Sequence, residues 1–164
     1  MTTTTTTTPS APAFVTSVLR WEGLATNTAH AFRTALIDLS RARHSQNIGD
    51  AAIAKMLSDR GASTGKQKAV IMAITGYAVD RNPSATADEI DDLYAAVTKA
   101  CRSGSIGQTK ALSIVEEVAQ SADGVSKCAG ALIEAVDQKQ KDVASAKREI
   151  CLLYTSDAAD DTPC

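Results

Sequence analysis

Few residues in this sequence combine the types and the spacing that chemistry demands. The stretch Gly61-Ala-Ser-Thr-Gly65-Lys66-Gln67 comes nearest to a phosphate-cradling loop. Such a loop needs four residues between its glycines, so that the amides can curl around phosphate oxygens, and a Ser or Thr after the lysine to reach magnesium. Here three residues separate the glycines and Gln67 follows the lysine, so a turn leading into a helix is the better account. His30 and His44 are 14 residues apart in one expected helix. That is about 21 Å along the axis, too far to share an ion. Asp88, Glu89, Asp91 and Asp92 lack the glycine and the ligand spacing of a calcium loop, and they suit a first helical turn, where the macrodipole favours negative charge. Cys101 and Cys128 fall at apolar positions of expected helices and read as small buried hydrophobes. No nucleophile with a base and an orienting group can be assembled from this set. The expectation is a non-enzymatic protein with no metal and no cofactor.

The elements that position these residues are helical throughout. Sustained period-two alternation and Asn-Gly or Asp-Gly hairpins are missing from the sequence. Val18, Trp21, Leu24, Ala25, Phe32, Leu36 and Leu39 recur at close to 3.6 residues, predicting one long or Gly23-interrupted helix that ends near His44, with Trp21 and Phe32 as core anchors. A short helix follows over about 50–59, with Asp50 as its N-cap. Three hydroxyl-x-x-Glu/Gln boxes then mark helix starts at Thr64–Gln67, Thr86–Glu89 and Ser105–Gln108. The helix from 64 to about 80 is apolar nearly all round, which places it centrally, and Gly76 within it predicts a close helix approach. Pro83 stops it. Ile90, Leu93, Tyr94, Val97 and Cys101 form the stripe of the next helix, and Ala111, Val115, Val118 and Ala122 that of the one after. Val125, Cys128, Leu132, Val136 and Val143 form the seam of the last helix, whose polar end from Lys139 to Glu149 is expected to project beyond the core. A short echo, Gly65-x-x-Lys68-Ala69 and Gly107-x-x-Lys110-Ala111, does not extend into a repeat.

Charge divides along the chain. Residues 20 to 81 hold nine basic and five acidic residues, net +4, and residues 82 to 150 hold eight and eleven, net −3. A basic half is the footprint of a phosphate-binding face. Ala54 in one helix, Gly61 in a short turn and a second helix opening at Thr64 make residues 50–80 resemble a helix-turn-helix unit. The resemblance implies that Arg60, Lys66 and Lys68 contact phosphates of duplex DNA, with Thr64 and Gln67 near base edges. Because the second helix is so apolar after Lys68, only its first turn is expected at the surface. The acidic half would then form a homodimer or bind a protein partner. The alternative is a helical interaction or assembly protein without nucleic-acid binding, in which Arg41, Arg43, Arg60, Lys66 and Lys68 simply solvate the outside of a bundle.

The two ends change the totals. The 164 residues are 44% apolar and 4% aromatic, with net charge −2. A core of Ala, Val, Ile and Leu is implied, and the longest apolar run, Ala69 to Ile74, is too short to span a bilayer. Met1 and the threonines to Thr8, followed by Pro9-Ser-Ala-Pro-Ala13, read as a disordered arm over 1–13 with no secretory signal, which suggests the cytoplasm. At the other end, Cys151-Leu-Leu-Tyr-Thr-Ser-Asp-Ala-Ala-Asp-Asp161 resembles, letter for letter, the translated adapter of a transposase-based sequencing library. That resemblance implies that 151–164 is not native sequence. Without Asp157, Asp160 and Asp161 the 19 acidic residues become 16 against 17 basic ones, and the net charge becomes +1. The expected architecture is all-α: a compact bundle of about six helices over 14–150, forming a single domain.

Overall fold

The computed structural model describes residues 11–23, 28–121 and 123–157. The Thr-rich arm up to residue 10, Leu24, Ala25, Ala122 and the tail beyond residue 157 lie outside the described residues. Every regular element among the described residues is helical: α1 Ala13–Gly23, α2 Thr28–His44, α3 Asp50–Asp59, α4 Lys66–Arg81, α5 Ala87–Ala100, α6 Gln108–Val118 and α7 Gly124–Asp157. Among the described residues there are seven helices rather than about six, because the first periodic region is interrupted after Gly23 and forms two helices. No helix among the described residues is long and apolar enough to cross a membrane. The chain divides into two compact units, Met1–Asp80 and Arg81–Cys164.

In the first unit, Phe14, Val15 and Val18 of α1 are buried, as are Leu36 and Leu39 of α2 and Ile53 and Leu57 of α3. From Ala69 through Gly76, α4 is buried at every position, as its all-round apolar sequence requires. Gly76 is the point of closest approach to α2. A Cβ built there would lie 1.9 Å from the carbonyl oxygen of Leu36 and 3.1 Å from Ser40 Cβ. Further along, His44 meets Tyr77 edge to face at 5.1 Å between ring centroids. Arg41 grips Asp80 through two hydrogen bonds of 2.7 and 3.2 Å. Trp21 and Phe32 are not core anchors: both are half-buried, and they pack on each other at 5.1 Å.

In the second unit, α7 packs on α5 and α6. Ile90, Leu93, Val97, Cys101, Ala111 and Val115 are buried, and the seam of Val125, Cys128, Leu132 and Val136 is buried as its spacing predicts. Beyond Val136 the seam leaves the core. Every residue from Asp137 through Ile150 is exposed, and Val143, expected on the buried stripe, is 41% exposed. Asn82 donates to the Ala119 carbonyl at 3.2 Å, and Gly124 lies so close to both groups that a Cβ would stand 2.6 Å from that carbonyl oxygen.

Of the three expected cap boxes, one forms. The Thr86 hydroxyl accepts from the Glu89 amide while the Glu89 carboxylate accepts from the Thr86 amide. α4 starts instead from Gly65, whose carbonyl accepts from the Ala69 amide at 2.9 Å, and α6 starts from Gly107, whose carbonyl accepts from the Ala111 amide at 3.0 Å. The Gly-x-x-Lys-Ala echo is thus a shared glycine start. The N-cap of α3 is Gly49, which has no side chain to cap with, and not Asp50, which is the first helical residue and pairs with Arg43 at 3.0 Å.

Cys101 and Cys128 are buried, and Cys151 is partly exposed. Burial pushes the Cys128 thiol up to about 11, and its sulfur donates to the Val115 carbonyl at 3.7 Å. The thiolate is the reactive form. A disulfide-exchange reagent at mildly alkaline pH should therefore leave Cys101 and Cys128 unmodified in the native protein and label both once denaturant unfolds it; early labelling of either, read by peptide mass spectrometry, would contradict this burial.

Candidate nucleic-acid interface

The residues singled out in sequence lie between α3 and the first turn of α4. α3 ends in a Schellman arrangement. Gly61, at φ 78°, takes the left-handed conformation that follows a helix end, its amide donates to Ser58, and the Ala62 amide donates to Leu57. A β-carbon at Gly61 would be strained in that conformation, which explains the glycine without any ligand.

The loop then offers its amides to an anion from its own chain. Ser63 N–H donates to Glu22 Oε2 at 3.0 Å, Thr64 N–H to Glu22 Oε1 at 2.9 Å, and the Thr64 hydroxyl to the same oxygen at 2.5 Å. Burial pushes the Glu22 carboxyl up, but the hydrogen bonds from Thr64 and Ser63 outweigh it and hold the group below its ordinary value. A carboxylate therefore occupies the position that a phosphate-loop reading would give to phosphate. Sequence reasoning missed Glu22, which stands 42 residues before Thr64 and shares no local pattern with it.

This geometry separates the candidate residues. Thr64 is 3% exposed and committed to Glu22, so it does not face a base edge. Arg60, Lys66, Gln67 and Lys68 are exposed and lie within one turn and its connecting loop. The Lys68 ammonium stands 4.8 Å above the Trp21 ring, a cation–π contact that anchors this side chain against α1. Elsewhere in the unit, Arg41 pairs with Asp80, Arg43 with Asp50 and Lys55 with Asp59. Arg60 and Lys66 form no ion pair with any described residue. The second helix is buried from Ala69 onward, so its exposed reach ends at Lys68.

Among the described residues no group of three His, Cys, Asp or Glu side chains stands together as a metal would need. Glu89 of the acidic cluster closes the α5 capping box. The fold and this surface define an all-α protein with a short basic turn. No family model, curated protein or solved structure matches the chain.

Proposed function

We propose that this chain is a non-enzymatic helical interaction and assembly protein that acts through the projecting end of α7. The observation that carries the reading is the run from Asp137 to Ile150, helical and exposed at every position. An isolated helix of that length is marginal in water and gains its stability by packing an apolar face against something else. Val143 and Ile150, seven residues apart and 41% and 66% exposed, give this segment such a face together with Ala146. Asp142 and Glu149 flank it on one side and Lys147 on the other. In a parallel pair of copies Asp142 faces the other Lys147, whereas an antiparallel pair sets acid against acid, so a parallel second copy is the favoured partner.

Light scattering on the full chain should return a dimer. Val143→Asp combined with Ile150→Asp should return a monomer of unchanged melting temperature. Because Leu152 and Leu153 are also exposed, a form ended at Ile150 should be measured beside the full chain and should dimerise as well. A wild-type chain that remains monomeric to its solubility limit overturns the reading, as does a dimer that survives the double substitution.

Exposed Arg60, Lys66 and Gln67 at the start of α4 favour a second reading, contact with duplex DNA through that turn. With so few phosphate contacts the affinity should fall with salt at a slope of about −2 to −3, at roughly −0.9 per contact. Lys66→Ala with Lys68→Ala should flatten that slope by about 2. Absence of binding at low salt sinks this reading.

A further inference from the structure

In the second unit, whose acidic residues outnumber its basic ones, three cations converge on one recess with no carboxylate among them. The recess has a volume of about 180 Å³ and is bounded by the end of α5, the loop leading to α6 and one face of α7. Lys99 comes from the first, Arg102, Ser103 and Ser105 from the second, and Lys139 and Gln140 from the third. None of the three cations forms an ion pair with a described residue. Lys99 and Arg102 would be favourable at a helix C-terminus in any case. Lys139 has no such explanation. It stands in the interior of α7, one turn past buried Val136, where the spacing of Leu132 and Val136 asks for another apolar residue. The lysine places a third cation on the wall of the recess that Lys99 and Arg102 also line.

A second observation is independent of charge. The Ser105 hydroxyl oxygen is shielded from solvent and has no hydrogen-bond partner, a condition that is unfavourable for a polar group. Its backbone is fixed in a tight turn. The Ser105 amide donates to the Arg102 carbonyl at 3.0 Å, and Gly104 turns the chain with φ 81°. The recess therefore joins an orphaned hydroxyl, a guanidinium fork, two ammonium groups and an amide side chain, which is a donor set for a compact oxyanion.

We infer that this recess binds a phosphate-class dianion, either inorganic phosphate or the phosphoryl group of a small monoester. Such a group carries close to two negative charges at neutral pH, its second pKa lying near about 6. Arg102 provides bidentate recognition, Lys99 and Lys139 neutralise the charge, and the Ser105 hydroxyl, turned about its χ1 toward the recess, donates its hydrogen to a phosphoryl oxygen.

Calorimetric titration of the full chain with inorganic phosphate and, separately, glycerol 3-phosphate tests this, with chloride at matched ionic strength as the blank. Saturable binding of one equivalent is expected for at least one of the two phosphates and for chloride none; the tighter of the two identifies free ion or ester. Arg102→Gln with Lys139→Gln should weaken binding at least about tenfold, the size expected when a charge-assisted contact worth roughly 1.5–3 kcal/mol is lost. Ser105→Ala should act in two directions at once, raising the melting temperature of the unliganded protein by removing the orphaned hydroxyl and weakening phosphate binding severalfold. A purely structural serine would not change the affinity. Absence of saturable heat with both phosphates overturns the inference, as does binding that remains unchanged in the double variant and in Ser105→Ala.

Discussion

Gly76→Ala is expected to destabilise the first unit by about 3 kcal/mol or more, although alanine is the better helix former by about 1 kcal/mol. The added methyl would stand 1.9 Å from the Leu36 carbonyl oxygen and 2.4 Å from its carbon, both backbone atoms that no rotamer change can remove. Ser40 Cβ closes the same space at 3.1 Å. α2 and α4 would have to separate, loosening buried Leu36, Leu39, Met72 and Ile74 and pulling apart the His44–Tyr77 and Arg41–Asp80 contacts further along the same helices. The same substitution at Gly130 supplies the control. That glycine lies inside α7 with nothing within 4 Å of a built Cβ, so Gly130→Ala should stabilise by up to about 1 kcal/mol through helix propensity alone. Denaturant unfolding of both variants checks the pair. Equal and small effects would mean that α2 and α4 do not meet at Gly76.

The close approach at Gly76 was legible in sequence because a glycine inside a strongly apolar helix has few other uses. The all-helical class and most of the buried stripes were legible for a similar reason, since each depends on the periodicity of one segment. What could not be read locally is competition between distant partners. Thr64 satisfies the cap pattern with Gln67, but the Glu22 carboxylate takes its hydroxyl and its amide, and the helix starts one residue later from Gly65. Ser105 satisfies the pattern with Gln108, yet its hydroxyl caps nothing and Gly107 becomes the N-cap. The Thr86 box forms, its hydroxyl and amide both bonded to Glu89 three residues on.

The candidate interface divides along the same line. Exposure of Arg60, Lys66, Gln67 and Lys68 follows from their polarity and from the apolar run that begins at Ala69, both of which are sequence properties. The loss of Thr64 from the set and the seating of Lys68 over Trp21 follow from α1 lying against the turn, a tertiary fact. The half-buried Trp21–Phe32 pair belongs here too. Large rings at helical spacing suggest core anchors, but the buried ring of α1 is Phe14, and the indole of Trp21 instead lies against Phe32 and under the Lys68 ammonium.

Glu22→Ala should lower the stability of the first unit by about 2–3 kcal/mol near neutrality, because the buried Thr64 amide and hydroxyl lose their acceptor and each unsatisfied group costs about 1–3 kcal/mol, partly recovered where water reaches Ser63. Glu22→Gln keeps an acceptor oxygen but not the charge, and should cost about 1 kcal/mol. The pH dependence distinguishes the roles. The folded carboxyl lies below its ordinary value of 4.5, so its contribution is complete above that value in the unfolded chain and is lost as pH falls through the lower folded value. The stability gap between wild type and Glu22→Gln should therefore be constant from neutrality down to about pH 5 and should narrow below about pH 4. A gap that stays constant through the acid range would mean that the Ser63–Thr64 turn does not depend on the charge of Glu22, and that α4 is set in place by the packing of Ala69 through Gly76 alone.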